Sequence, residues 1–349
     1  MSVFSHPDFA GHEAVHAFHD EASGLRAFIA VHNTNRGPAS GGTRFWHYNS
    51  DADALTDALR LSRAMSYKNA VARLGIGGGK GVIMRPAGDF DREALFRAYG
   101  RAVEAVGGAY ITAEDVGVSP ADMVTIKTQT DHVAGLPDTS GDPSPVTADG
   151  VFRGVKVALR HAFGSDSLDG RRVAVQGLGH VGYALAEHLH RAGAQLVVAD
   201  INEAVVERAK TELGARAVAV DAIHAQDVDV FAPCALGGAV SAKTLPSISA
   251  RIIAGAANNQ LATPAMAEHL SRAGKLYAPD YVINAGGIIN VDAEVSHDRY
   301  DPEWVRGKLD ELEETLDEVF SRARDQGTTT TAIAEEIGRA RLAERRDWR

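Results

Sequence analysis

One cysteine, Cys234, occurs in 349 residues. No intramolecular disulfide can form, which fits a reducing compartment. No histidine lies near this thiol in the sequence, so it reads as a small buried hydrophobe rather than a nucleophile. The 14 histidines are scattered along the chain and are read as making no His-x-x-x-His pattern with nearby acids, so no catalytic metal is expected. Basic residues are also in short supply. Against 46 Asp and Glu stand 36 Lys and Arg, a net charge of −10 that argues against nonspecific nucleic-acid binding and against an anionic membrane surface. No apolar run reaches the roughly 18 residues needed to span a bilayer. The opening Met1-Ser2-Val3-Phe4-Ser5-His6-Pro7-Asp8 lacks the basic start and apolar core of a secretion signal, and the cytoplasm is the expected location.

What is present describes a globular enzyme. Hydrophobic residues make up 45% and charged residues 23%, which argues against extended disorder. The length exceeds that of one ordinary core, so two domains of roughly 150 to 200 residues are expected. Residues 24–33 read as a strand, interrupted by the turn-rich stretch Asn33 to Gly42. From Asp53 to about Ala70, Leu55, Ala58, Leu59, Leu61 and Met65 form a helical stripe that leaves Lys68 near the helix end. Further helices fit 91–106 and 120–130, with Asp115 between them just after the apolar run Ala109-Tyr110-Ile111. The stretch 135–146, rich in proline and glycine, reads as the linker. The expected division is 1–134, joined by a C-terminal helix over 328–349, and 135–327.

Beyond the linker the pattern is βαβ. A helix over 147–163 precedes the strand Arg172–Gln176, the loop Gly177-Leu178-Gly179-His180-Val181-Gly182, a helix through about His190 and a second strand ending at Asp200. Glycine-rich loops are common, but this G-x-G-x-x-G has a strand before it, a helix after it and an acid about 20 residues on. Gly177 permits the tight turn, Gly179 lets a pyrophosphate reach the helix N-terminus, and Gly182 allows close helix packing. Asp200 can accept from both hydroxyls of an adenosine ribose and would repel a 2′-phosphate, so NAD is favoured over NADP; its other reading is an acid stabilising the next helix. Two more strands, 228–232 and 251–254, end in the loops Pro233–Gly238 and Gly255–Gln260, which in a parallel sheet face the cofactor. At the C-terminus, Asp301 and Pro302 begin a helix striped by Val305, Leu309, Leu312, Leu316 and Phe320, and Gly327 ends it.

The most telling pair is Lys68, in Ser66-Tyr67-Lys68-Asn69, and Lys80, closing Gly77-Gly78-Gly79-Lys80. Glycines before Lys80 remove side-chain bulk, so that a ligand can approach the backbone and the amine can sit in a cleft. A second ammonium nearby would bring a buried lysine towards neutral pH, where it is a usable base. A plain alternative for Lys68 is a cation complementing a helix C-terminus.

These motifs, together with Pro38–Arg44, Thr112–Gly117, Ala254–Asn259 and Ala278–Gly287, occur in the order found in the glutamate, leucine, valine and phenylalanine dehydrogenases, a family the chain resembles over residues 25–330. Pro143–Thr147 and Tyr281–Gly287 read closest to its leucine dehydrogenase branch. The resemblance implies an α/β chain of two domains: an N-terminal α/β substrate and catalytic domain, and a Rossmann-type doubly wound NAD-binding domain, with C-terminal helices packing back. It implies oxidative deamination of an L-amino acid to its 2-oxo acid and ammonia, with NAD taking the α-hydrogen as hydride. Lys80 would be the general base and Asp115 the proton relay. Lys68, with Asn259, would hold the α-carboxylate. Arg44, Thr147, the Gly177 loop, Asp200, Cys234, Ala235 and Asn258 would contact the cofactor, with Thr147 and Asn258 near the nicotinamide; for both asparagines, backbone capping at a strand-to-helix turn is the other reading.

Related glutamate dehydrogenases carry lysine where Ser40 stands and serine where Val291 stands. Neither group is available here to grip a side-chain carboxylate, and burying one without partners costs several kcal/mol. Ser40, Gly41, Ala113, Ile288 and Val291 imply a mainly apolar side-chain pocket suited to leucine, isoleucine and valine. Leucine dehydrogenases have leucine at the Ser40 position; the smaller serine points also to phenylalanine or another bulky amino acid. A catalytically silent NAD-binding sensor is a third reading, one that would not require Lys80 and Asp115 as a pair. A homodimer or higher homo-oligomer is expected, the C-terminus lacking the extension of octameric relatives.

Overall fold

A computed structural model describes residues 3–136, 141–297 and 300–345. It divides into two units: residues 1–142, 291–302 and 338–349, and residues 143–290 and 303–337. Residues 137–140 of the expected linker lie outside the described residues.

The first unit is built on a five-stranded mixed sheet of β1 (Ala14–Asp20), β2 (Leu25–Asn33), β3 (Ala39–Trp46), β4 (Gly77–Met84) and β5 (Tyr110–Glu114), in the order β1-β2-β4-β3-β5. β1 and β4 run antiparallel to β2, while β3 runs parallel to both β4 and β5. Helix α1 (Asp51–Val71) begins where the Ser50 side chain accepts from Asp53 N, and α3 (Pro120–Lys127) opens with a capping box between Ser119 and Asp122; α2 (Arg92–Ala105) lies between them in the chain. Alternation along the strands separates two faces. Leu25, Ala27, Ile29 and Val31 pack with Leu95, Phe96, Tyr99, Met123 and Ile126 of α2 and α3, whereas Ala30, Val82 and Met84 pack with Ala54 and Ala58 of α1.

β4 departs from the sequence reading, which left Gly77–Gly81 open to a ligand. All eight residues of this strand are buried, and its glycines meet protein. A Cβ at Gly78 would lie 2.1 Å from Ser66 N, one at Gly79 2.7 Å from the Tyr110 ring, and one at Gly81 2.0 Å from Tyr99 Oη. The missing side chains bring α1 onto one face of β4 and two tyrosines onto the other. The stretch read as turn up to Gly42 is likewise strand from Ala39 onward, its glycines hidden between β4 and β5.

The second unit carries a six-stranded parallel sheet of β6 (Arg172–Gln176), β7 (Gln195–Ala199), β8 (Arg216–Ala217), β9 (Val230–Pro233), β10 (Ile252–Ile253) and β11 (Leu276–Tyr277). The order β11-β10-β9-β6-β7-β8, read from the β8 edge, is 3-2-1-4-5-6, the doubly wound dinucleotide-binding arrangement. Its helices are α4 (Ser144–Phe163), α5 (His180–Arg191), α6 (Glu203–Leu213), α7 (Met266–Arg272) and α8 (Asp280–Ile283). Gly154 of α4 lets Ile283 and Leu316 approach to 2.6 and 3.0 Å of where a Cβ would stand. The chain passes between units just before α4, within α9 (Gly286–Val295), at the start of α10 (Pro302–Gln326) and within α11 (Thr330–Ala343). In the first unit the end of α11 is tied to α1, Arg341 donating to Val71 O at 2.6 Å. No helix among the described residues is long and apolar enough to cross a membrane.

Candidate active site

Sheet register assembles the first group of candidate residues. Ser40 stands between Gly78 and Ile111, so these three share a face, and two residues further along their strands Lys80 and Ala113 share it too. It is the face on which Gly78 meets α1, the helix that carries Lys68, half-buried, in its last turn. Ser40 is fully buried, and its hydroxyl has no hydrogen-bond partner among the described residues. Gly41 is buried, and its carbonyl accepts from Tyr110 Oη at 2.6 Å.

Lys80 is 5% exposed, and its Nζ donates to Asp115 Oδ2 at 2.5 Å. Arg44 Nε donates to the same oxygen at 3.3 Å and its Nη1 to Asp57 Oδ2 at 3.0 Å, which also accepts from Tyr48 Oη at 2.6 Å. Burial holds the Lys80 amine below the usual lysine range; Asp115 opposes this and the Arg44 guanidinium adds to it. Burial would raise Asp115, but the charge and hydrogen bond of Lys80, followed by Arg44, hold it below the usual carboxylate range. Desolvation is thus the main source of the lysine shift, and Arg44 is a cationic neighbour that adds to it. Arg44, read from sequence as a cofactor contact, is bound into this charge network. Arg44, Tyr48 and Asp57 also line a cavity of about 560 Å³, so the network reaches open space at its Arg44 end while Lys80 stays buried.

The second unit holds the other group. Gly177 adopts φ +93° with Ala235 packed against it, Gly182 leaves room for Gly177 O, and nothing lies within 4 Å of where a Gly179 Cβ would be. Helix α5 starts at His180 with Gly179 as its N-cap and no side-chain cap, a helix start of the kind that receives phosphate, and Val181 is in that first turn. The buried Leu178 donates its N–H to Asp200 Oδ2 at 2.6 Å, and Asn202 N donates to Oδ1 at 2.8 Å. Each carboxylate oxygen keeps a further lone pair for a sugar hydroxyl. The cap of α6 is Asn202 rather than Asp200. These features fit a dinucleotide. Burial pushes the Cys234 thiol up to about 12, which keeps it from being a thiolate. Asn258 and Asn259 are exposed, and Asn259 takes the left-handed φ of +52°, its carbonyl accepting from Gly238 N at 2.8 Å. Thr147 lies in the first turn of α4, with Oγ1 donating to Pro143 O at 2.9 Å. Ile288 and Val291, half-buried, stand three residues apart on α9.

Sequence reasoning missed Asp57, Tyr48 and Asn284. The first two had no motif, whereas Asn284 sat inside a motif whose chemistry was not worked out. The reading that no His-x-x-x-His pattern is present is also wrong: His12-Glu13-Ala14-Val15-His16 spells H-E-x-x-H. On a helix that spacing gathers two imidazoles. Here it runs into β1, and His12 Nε2 is within 3.0 Å of Leu59 O and 3.1 Å of Ser62 Oγ.

Comparison with known proteins agrees with this geometry. Residues 12–132 match the model of the Glu/Leu/Phe/Val dehydrogenase dimerisation domain, and residues 140–213 and 200–348 match that of Glutamate/Leucine/Phenylalanine/Valine dehydrogenase. A leucine dehydrogenase from Geobacillus stearothermophilus is 48% identical over 98% of this chain and 94% of its own length. A valine dehydrogenase from Streptomyces coelicolor is 44% identical over 99% and 96%. The crystal structure of L-tryptophan dehydrogenase from Nostoc punctiforme superposes with a TM-score of 0.86 at 44% identity, covering 95% of this chain and 96% of that one. With two domain models covering nearly all of its length and relatives of this similarity, the chain belongs to the Glu/Leu/Phe/Val dehydrogenase family and is an amino acid dehydrogenase.

Proposed function

We propose that this enzyme catalyses the reversible NAD-dependent oxidative deamination of an apolar L-amino acid, leucine, isoleucine or valine, to the 2-oxo acid and ammonia. The observation that carries the reading is the buried Lys80 amine 2.5 Å from Asp115, since a lysine held below its usual range can be neutral when a proton must be removed. Lys68 binds the α-carboxylate, with Asn259 as a neutral partner. When bound, NAD supplies the acceptor that takes the α-hydrogen as hydride. Lys80 then removes a proton from the water that attacks the iminium carbon. Asp115 holds the substrate nitrogen and relays to it the proton that Lys80 took from water; as the carbinolamine collapses, its hydroxyl proton returns to the Lys80 amine, so ammonia leaves and the carbonyl forms. The Gly177–Gly182 loop, Asp200, Cys234, Ala235 and Asn258 receive the dinucleotide, and Thr147 and Asn258 stand at its nicotinamide end. We place the enzyme in the cytoplasm as a homodimer or larger homo-oligomer.

The residues proposed to select the substrate side chain are Ser40, Gly41, Ala113, Ile288 and Val291. Ser40 supports a second reading. Its side chain is smaller than the leucine of leucine dehydrogenases, which favours phenylalanine or another bulky amino acid, and its buried hydroxyl has no partner among the described residues. Initial rates for the twenty common L-amino acids, each with NAD and with NADP, separate these readings. Branched aliphatic substrates with NAD are expected to lead. In Ser40→Leu, refilling the pocket should reduce kcat/KM for any aromatic substrate by about tenfold while sparing valine. Glutamate leading the panel, or NADP leading NAD, would overturn the assignment.

A further inference from the structure

The segment Asn284-Ala285-Gly286-Gly287 has no role in the chemistry above, yet it holds two of the residues placed at the nicotinamide. Asn284 is 4% exposed. Its Nδ2 donates to Ala256 O at 3.0 Å and to Asn258 Oδ1 at 2.7 Å. The neighbouring carbonyls of the same loop are held by Gln260, whose Nε2 donates to Gly255 O at 2.7 Å and Ala257 O at 3.0 Å. Asp280 in turn accepts from Gln260 N at 3.1 Å. Three successive carbonyls of the loop therefore end on buried amides. Gly286 lies against Thr147, where a Cβ would come within 2.3 Å of Val146 O and 2.7 Å of Thr147 Cα.

The bond from Asn284 to Asn258 has a direction. It occupies the carbonyl end of an exposed amide and leaves the –NH2 end to face outward, because the two ends of a carboxamide cannot be satisfied interchangeably. Asn284 does this while its own Oδ1 stays buried without a partner among the described residues. We propose that Asn284 is a positioning residue that sets the polarity of Asn258, so that Asn258 donates a hydrogen bond to the carbonyl oxygen of the nicotinamide carboxamide. The proposal rests on the placing of Asn258 at the nicotinamide. Gln260 keeps the loop in register for this contact.

The test uses 3-acetylpyridine adenine dinucleotide, which keeps the ring carbonyl and lacks the amide nitrogen, and reads its Kd and that of NAD by isothermal titration calorimetry beside the KM values, the two constants being expected to move together. If Asn258 is a donor, the wild-type enzyme has KM values for NAD and the analogue within about threefold, since the contacted atom is unchanged. In Asn284→Asp the side chain can only accept from Asn258, which turns the Asn258 carbonyl outward. NAD can still donate to it, but the analogue cannot, so the KM ratio of analogue to NAD should rise by about fivefold or more. KM does not depend on the fraction of active protein, so partial misfolding does not confuse the result. Should that variant give no folded protein, Asn284→Ala serves, raising both KM values by about fivefold with kcat nearly kept. A wild-type ratio of ten or more, or a ratio unmoved in Asn284→Asp together with KM values unmoved in Asn284→Ala, overturns the inference. Asn258→Ala is the separate check on the underlying reading: unchanged KM for both dinucleotides would remove Asn258 from the nicotinamide, whereas raised KM values with unaffected Asn284 variants would refute Asn284 alone.

Discussion

Opposing influences meet at the Lys80 amine. Burial favours the neutral form, Asp115 favours the ammonium, and Arg44, hydrogen-bonded to the same carboxylate oxygen, presses again towards neutral. The sign of the pH dependence follows. A base held below the usual lysine range loses its proton at lower pH than an ordinary lysine, so kcat/KM for deamination should rise with pH through a midpoint below that range. In Arg44→Gln one lowering influence is gone, so the midpoint should move to higher pH and the rate at neutral pH should fall. Initial-rate pH profiles of the two enzymes check this. A midpoint that stayed put, or moved to lower pH, would show that Arg44 does not act on the base.

At the level of elements, the glycine strand β4 does the positioning. Its side-chain-free faces draw α1 and the Tyr99 and Tyr110 rings close, and this packing fixes the strand that presents Lys80. Gly78→Ala would drive a Cβ into the Ser66 backbone, which cannot rotate away. A loss of about 3 kcal/mol or more is expected, read as a lowered urea midpoint, and an unchanged midpoint would contradict the packing account. The same strand explains where sequence reading stopped. Helices α1, α2 and α10 and strands β6 and β7 were legible because their apolar spacing and caps are carried by side chains. β3 and β4 were not, because a buried strand made of glycine has no alternation to read. The residues proposed for the chemistry stand in motifs, whereas Asp57 and Tyr48 join Arg44 only through folding. The main source of the Lys80 shift, burial of β4, was hidden for a similar reason.

For the whole molecule, the proposed roles divide between the two units. The base, its carboxylate partner and the carboxylate-binding lysine belong to the first, and the dinucleotide loop, Asp200, Asn258 and Asn259 to the second. The order of motifs along the chain disclosed the family, because each unit carries its own signature: a glycine-rich lysine strand in one and a strand-loop-helix with a following acid in the other; the expected bounds missed that residues 291–302 group with the first unit and 328–337 with the second. The substrate is encoded less openly, in the volume and polarity left at Ser40. What joins these parts into one account is that Lys80 acts as a base. Deamination by Lys80→Ala, measured at saturating NAD and amino acid beside a thermal-unfolding check of the fold, tests that claim most directly. The account predicts a fall in kcat of about 10² to 10⁴-fold in a folded protein, and a wild-type rate from that variant would contradict it.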